Sequence, residues 1–199
     1  MEKPATTQVP IHELIARRWS PVAFAADRPV TREQITALLE AARWAPSCYG
    51  DQPWRYLVWN RHVDASAWQR AFMCLAEGNQ AWVRNAPVLL LAAASSRFTH
   101  NGKENRWGRY DTGAASENLC LQATAMGLQA HQMGGFDERA VRGAFSIPED
   151  CECMAMIAVG HPADASVVEG ELAQRQLAPR ARASLSERFF DGEWGNGWQ

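Results

Sequence analysis

The chain lacks any apolar run long enough to cross a bilayer. Its longest, residues 86–94, falls far short of the roughly 20 residues a spanning helix needs. It also lacks an excess of either charge. Twenty Lys and Arg against 22 Asp and Glu leave a formal net charge of −2, which gives nucleic acid and anionic membranes no general electrostatic hold. The opening residues, Met-Glu-Lys-Pro-Ala-Thr-Thr, have no basic-then-apolar signal pattern, so a cytoplasmic protein is expected. The five cysteines, Cys48, Cys74, Cys120, Cys151 and Cys153, form no even or tightly spaced framework. Reduced thiols in a reducing compartment fit that pattern. Cys151 and Cys153 lie two apart at the start of an expected strand, but no further ligands stand at metal-site spacing, and no metal is expected. No Gly-x-Gly-x-x-Gly opens a helix after a strand, and no Gly-x-Ser-x-Gly elbow is present. No internal repeat or domain linker is visible.

What is present is an ordinary globular composition, 47% hydrophobic and 21% charged, in 199 residues. That length supports one domain with a sizeable core, spanning residues 1–199. Nine tryptophans are many for this length; they suit core packing, a wide interface or a flat-ligand pocket. Residues 1–9 are expected to be disordered. Pro10 suits a first helical turn, and Ile11, Leu14 and Ile15 recur at helical spacing, with Arg17 and Arg18 at the helix end. Thr31 and Gln34 form a capping box ahead of a stripe of Ile35, Leu38, Leu39 and Ala42. Strands are expected at 55–59, at 88–94 (buried on both faces), briefly at 130–133, and at 154–159. Helices are expected at 65–76, 80–84 and 111–126, with a short one capped by Asp137. The small residues spread around 111–126 suggest burial on most sides, at the centre of the molecule or in a subunit interface. Residues 97–108 are polar with two glycines and read as a mobile loop. From residue 163 onward the chain reads as an extended tail without convincing periodicity. Its Phe189, Phe190, Trp194 and Trp198 must lie on the body or on a second subunit. Few strands separated by helices, without regular βαβ spacing, indicate an α+β class.

The stretch Arg43-Trp44-Ala45-Pro46-Ser47-Cys48-Tyr49-Gly50-Asp51-Gln52-Pro53-Trp54 organises the rest. A helix ends, a polar loop bounded by two prolines follows, and a strand begins. The loop displays a hydroxyl, a bare backbone, a carboxylate and an amide on rigid supports, a good setting for a small-molecule site. From local physics alone, a plain helix-to-strand connection with turn residues is the favoured reading.

The motif Ala-Arg-Trp-Ala-Pro-Ser-x-x-x-x-Gln-Pro-Trp-Arg resembles the signature of the nitroreductase family, FMN-dependent NAD(P)H oxidoreductases. Arg17-Arg18-Trp19-Ser20-Pro21, with Phe24, is similar to that family's first phosphate-binding segment. Gly127-Leu128-x-x-His131-x-Met133-Gly134-Gly135-Phe136 is similar to its flavin-ring segment, and Arg180-x-Arg182-x-x-Leu185-x-Glu187 to its closing basic motif. The likeness runs from about residue 11 to 187. It implies a central antiparallel sheet flanked by helices, a homodimer with FMN at its interface, and a C-terminal tail exchanged with the partner subunit.

The same resemblance implies that Arg17, Arg18 and Ser20 bind the FMN phosphate, with Arg180 and Arg182 as a second basic group. Ser47 and Gln52 serve the ring or ribityl side, in the family usually from the partner subunit. Gly134 and Gly135 place backbone donors beside the ring's reacting nitrogen. His131 falls in the ring segment and reads as a structural histidine. The implied activity is hydride transfer from NADH or NADPH through the flavin to a small-molecule electron acceptor, a nitroaromatic or quinone in the first instance. No acid, base or nucleophile of the chain is required, since the chemistry is flavin-centred. Two positions depart from the family pattern. Gly50 stands where Asn is usual, and Val22 where Arg is usual, so the flavin contacts are expected to be weaker or rearranged through Asp51. A specialised relative, flavin-fragmenting or reductively dehalogenating, and a non-catalytic flavin-binding sensor dimer are the alternatives. Turnover of NADH or NADPH with a quinone separates them.

Overall fold

A computed structural model of the chain describes residues 2–199. In chain order the elements are α1 (Glu13–Arg17), α2 (Arg32–Arg43), β1 (Trp54–Asn60), α3 (Ala65–Met73), α4 (Glu77–Val83) and β2 (Val88–Ser95). They continue with α5 (Gly108–Ala125), β3 (Gln129–Met133), α6 (Glu138–Phe145), β4 (Cys151–Gly160), α7 (Gly170–Leu177) and α8 (Leu185–Arg188). The four strands form one antiparallel sheet in the order β1-β2-β4-β3. The expected α+β architecture, a central antiparallel sheet flanked by helices, is what is found.

Both faces of the sheet are covered. Leu89, Leu91, Met156 and Ala158 point to one side, against Trp68, Trp82, Val83 and Val141 from α3, α4 and α6. Val88, Leu90, Ala92, Ile157 and Val159 point to the other, against Ile35, Leu38, Leu119 and Ala123 from α2 and α5. Alternation along β2 therefore feeds two apolar layers, which is why 88–94 carries no polar residue. The chain enters this core at Val22, Ala23 and Phe24, all fully buried. The ring of Trp82 lies between Phe24 and His131, at 6.1 and 4.5 Å between centroids.

Local signals account for the helix starts. Thr31 and Gln34 complete their capping box, and Asp137 accepts from the Ala140 N–H at the head of α6. Other elements differ from expectation. The helix expected at 65–76 ends at Met73, because the Gly135 carbonyl takes the Ala76 N–H and restarts the chain as α4. Helix α5 is buried along one face only, through Asp111, Ala115, Leu119 and Ala123, while Gly113 and Glu117 face outward in the single chain.

Residues 97–104 form a tight hairpin, closed by the Arg97–Glu104 bridge and by the Phe98 N–H to the Lys103 carbonyl (2.8 Å). Within the 1–9 segment, Ala5 donates to the Ala16 carbonyl (2.8 Å) and Lys3 to the Ala178 carbonyl (2.7 Å). The tail is not extended throughout. Helix α7 packs Leu172 and Ala173 on the first core layer, and its buried Gln176 accepts from the buried Val22 N–H at 2.9 Å. Gln176 stands where an apolar residue would continue the Leu172–Ala173 stripe, which shortens the signal in the sequence. Beyond α8, Phe189, Trp194 and Trp198 remain 58%, 93% and 51% exposed. No helix among the described residues is long and apolar enough to cross a membrane.

Candidate functional site

The polar loop after α2 is held in an unusual backbone conformation. Tyr49 (φ 55°), Gly50 (φ 65°) and Gln52 (φ 51°) all lie in the left-handed region. A non-glycine residue there costs on the order of 1–3 kcal/mol unless its surroundings fix it, and such strain gathers at functional sites. Here the surroundings do fix it. The Cys48 N–H donates to Asp111 Oδ2 (3.0 Å) at the head of α5, and the Gln52 N–H donates to Ser47 Oγ (3.0 Å). Arg55 Nη1 holds the Gln52 carbonyl at 3.0 Å. Asp51 Oδ1 accepts from the Thr99 N–H (2.9 Å) and Thr99 Oγ1 (2.6 Å), tying the loop to the 97–104 hairpin. Thus Ser47 and Gln52 bracket the loop and bond each other. Gly50 faces open space.

A second group gathers around Arg18. Its guanidinium pairs with Glu117 of α5 (3.2 Å) and reaches Ser20 Oγ at 3.5 Å. Burial lowers the pKa of Arg180, and the like charges of Arg18 and Arg182 lower it further. Arg180 therefore lies within electrostatic reach of both Arg18 and Arg182. Arg180 also donates to the Lys3 and Ala16 carbonyls, both at 2.7 Å, which seats the tail against α1. Arg17 turns elsewhere. It pairs with Glu2 at 3.2 Å and borders a separate concavity of about 190 Å³ with Trp19 and Pro162. Val22, at the position where the resemblance leads one to expect Arg, is fully buried and adds no charge.

Behind the basic group lies His131. Its ring is 6% exposed, with Nδ1 bonded to the Pro21 carbonyl (2.6 Å) and Nε2 facing Arg175 Nη2 (3.4 Å). The carbonyl can only accept, so Nδ1 carries the proton and Nε2 accepts from Arg175. Burial, aided by Arg175 and Arg18, holds the imidazole pKa down at about 4 against the pull of the Pro21 carbonyl. This histidine is structural, as its sequence setting suggested.

The two glycines after β3 serve different ends. A Cβ on Gly135 would come within 2.7 Å of Asn79 Nδ2, and the Gly135 carbonyl accepts from both Asn79 Nδ2 and the Ala76 N–H. Its bareness is consumed by packing. Gly134 has nothing within 4 Å of a built Cβ and is exposed, while its carbonyl accepts from the Phe136 N–H at 3.1 Å.

Helix α5 carries anchors for both groups, Asp111 for the loop and Glu117 for Arg18. Six residues separate them. At about 100° per residue that is a rotation of roughly 240°, so the two groups sit on different faces of one helix. Arg18 and Ser20 are in contact and Arg180 lies within electrostatic reach of Arg18 and of Arg182; Ser47 and Gln52 form a separate group. The supporting residues Asp111, Thr99, Arg175 and Gln176 carried no sequence signal, since each acts through a partner distant in the chain. No group of three or more His, Cys, Asp or Glu is placed to hold a metal ion among the described residues.

Comparison with known proteins adds to this geometry. The model of the nitroreductase family matches residues 15–161. A Mycolicibacterium smegmatis protein described as an uncharacterized 15.4 kDa protein is 35% identical over 152 residues, covering 71% of this chain and 98% of the relative. An NADH dehydrogenase of Thermus thermophilus is 30% identical over 167 residues, covering 68% and 79%. A solved structure described as an oxidoreductase containing FMN superposes with a TM-score of 0.89 at 34% identity, over 95% of both chains. A Desulfovibrio desulfuricans protein in complex with FMN superposes with a TM-score of 0.72 at 26% identity, over 94% and 99%.

Proposed function

The chain belongs to the nitroreductase family, and from that premise we propose that it is a homodimeric FMN-dependent oxidoreductase that uses NADH or NADPH to reduce a small-molecule acceptor, a nitroaromatic or quinone. The observation that carries the reading is the charge balance around Arg18. Arg180 lies within electrostatic reach of both Arg18 and Arg182, and one carboxylate, Glu117, pairs with Arg18. A phosphate monoester, close to a dianion at neutral pH, corrects that imbalance, and guanidinium matches it with paired hydrogen bonds. The donor set fits the group.

Arg18, Arg182 and Ser20 would hold the phosphate. Arg180, whose Nη1 is committed to backbone carbonyls, adds charge and fixes the tail that carries Arg182. Arg17, paired with Glu2, is assigned to the N-terminal segment. The Gly134 N–H would serve the ring edge, with Gly135 fixing its direction through Asn79. Ser47 and Gln52, on the other face of α5, would serve the flavin of a second copy, so that two chains complete each site. The exposed Phe189, Trp194 and Trp198 agree with a tail that a partner covers. When bound, FMN would supply two-electron redox chemistry between the nicotinamide and the acceptor. The chain's part is to bind, orient and exclude water. A cytoplasmic setting, where reduced nicotinamide circulates, goes with this reading.

The test is anaerobic reduction of the purified, FMN-loaded protein by NADH and by NADPH, followed by addition of a quinone. Bleaching of the flavin band and its return with the quinone are expected. A bound flavin that neither nicotinamide bleaches would favour the sensor reading.

A further inference from the structure

Three aromatic rings meet where the strained loop touches the 97–104 hairpin. Tyr49 lies 5.8 Å from Phe98 and 5.4 Å from His100 between ring centroids, and Phe98 lies 5.1 Å from His100. Tyr49 is 84% exposed, although its backbone is held at a costly positive φ. Core packing therefore does not explain why that ring is presented.

The trio is fastened from beneath. The Asp51 side chain is only 2% exposed, and its Oδ1 takes both Thr99 donors and faces His100 Nδ1 at 3.5 Å. Burial pushes that carboxyl up, but the Thr99 and His100 hydrogen bonds outweigh it and hold it below its ordinary range. The carboxylate is thus a charged latch between two loops. Its second oxygen, Oδ2, is buried without a partner, so the latch is kept at a cost. His100 Nε2 lies 2.9 Å from Asn101 Nδ2, a donor, which turns the Nδ1 proton toward Asp51.

We propose that the exposed face of Tyr49, braced by Phe98 at an interplanar angle of 82° and by the His100 ring at 57°, is the platform on which a flat, electron-poor aromatic acceptor stacks, and that Asp51 is the positioning residue that holds the two halves of this platform together. This rests on the flavin reading of the neighbouring Ser47 and Gln52, which lie two and three residues from Tyr49. An electron-rich phenol face and an electron-poor quinone face attract through their opposite quadrupoles, and offset stacking is available because one side of Tyr49 is free. The platform selects for planar aromatic acceptors over compact non-aromatic ones.

The test reads binding as well as turnover. Tryptophan fluorescence of the oxidised holoprotein is titrated with 1,4-naphthoquinone for the wild type and for Tyr49→Ala, Phe98→Ala and Tyr49→Phe. Loss of the stacking face in Tyr49→Ala, or of its perpendicular brace in Phe98→Ala, is expected to raise the naphthoquinone Kd about threefold to tenfold, with Tyr49→Phe restoring it. Asp51→Ala is expected to raise the KM for naphthoquinone more than it lowers kcat. Unchanged Kd in both alanine variants, or a Tyr49→Phe variant as weak as Tyr49→Ala, would overturn the platform. The FMN affinity of the same proteins is measured in parallel. A chain that binds no FMN defeats the flavin reading, and the naphthoquinone titration still decides the platform in that protein.

Discussion

Acidification to pH 5 should cost the fold about 2 kcal/mol through His131 alone. The ring is 6% exposed, stacked on Trp82, and faced by Arg175 from α7 and by Arg18. Burial first, then those two cations, hold its pKa at about 4, against 6.5 for a free imidazole. The folded-state value is the lower one, so between pH 6.5 and 4 the unfolded chain binds more protons than the folded chain. Stability from this group is complete above pH 6.5, falls as the pH drops, and is lost near pH 4. At 1.36 kcal/mol per unit, the gap is worth about 3 kcal/mol in total and about 2 kcal/mol at pH 5. For a chain of this size that is a fall in Tm of roughly 4–8 °C. The assay is thermal unfolding across pH 4.5–8 for wild type and His131→Gln, whose amide can still donate to the Pro21 carbonyl. The variant should be less stable at pH 7.5 but show a shallower slope below pH 6.5. Hydrogen exchange at pH 5 should deprotect α7 first, because undocking its Arg175 uncovers His131 and lets the ring take up a proton. Parallel pH slopes in the two proteins would refute the reasoning, since every other titrating group, including the depressed His161, is common to both.

Replacing Arg18 or Arg182 by alanine should weaken FMN binding roughly tenfold to hundredfold each, the size of a lost charge-assisted hydrogen bond; a flavin fluorescence titration reads this, and Arg17→Ala should fall well short of it. Gly134→Ala should leave Tm unchanged and lower FMN affinity, whereas Gly135→Ala should lower Tm by displacing Asn79, whose bond to the Gly135 carbonyl is worth about 1 kcal/mol. Gln176→Leu leaves the buried Val22 N–H without a partner and should cost about 1–3 kcal/mol. It should also loosen α7 enough to weaken FMN binding, as calorimetry and the same titration would report.

Much of this molecule was legible in its residues because the relevant signals are local. The Thr31–Gln34 capping box, the Asp137 cap and the apolar run of β2 each act within a few positions, and all appear as read. Pro46 and Pro53 frame the polar loop as read, whereas its positive φ angles and its bracing by Asp111 and Thr99 show only in the fold. What was missed acts across the chain. Helix α7 escaped notice because Gln176 docks it through a hydrogen bond to Val22, 154 residues away. The 97–104 hairpin looked mobile because Asp51, 48 residues upstream, is what fastens it. Arg17 and Arg18 are neighbours in sequence but diverge in space, one to Glu2 and one to Glu117. Adjacent residues leaving a helix end point in different directions, and nothing in a two-letter motif says which one turns inward.

The central claim is that two copies of the chain converge their basic and polar groups on one flavin each. Size-exclusion chromatography of the FMN-loaded protein with light scattering and absorbance near 450 nm tests it directly. The account predicts a dimer carrying one FMN per chain, with Arg18→Ala eluting as a dimer depleted of flavin. A colourless protein, with all added FMN in the small-molecule fraction, would contradict it.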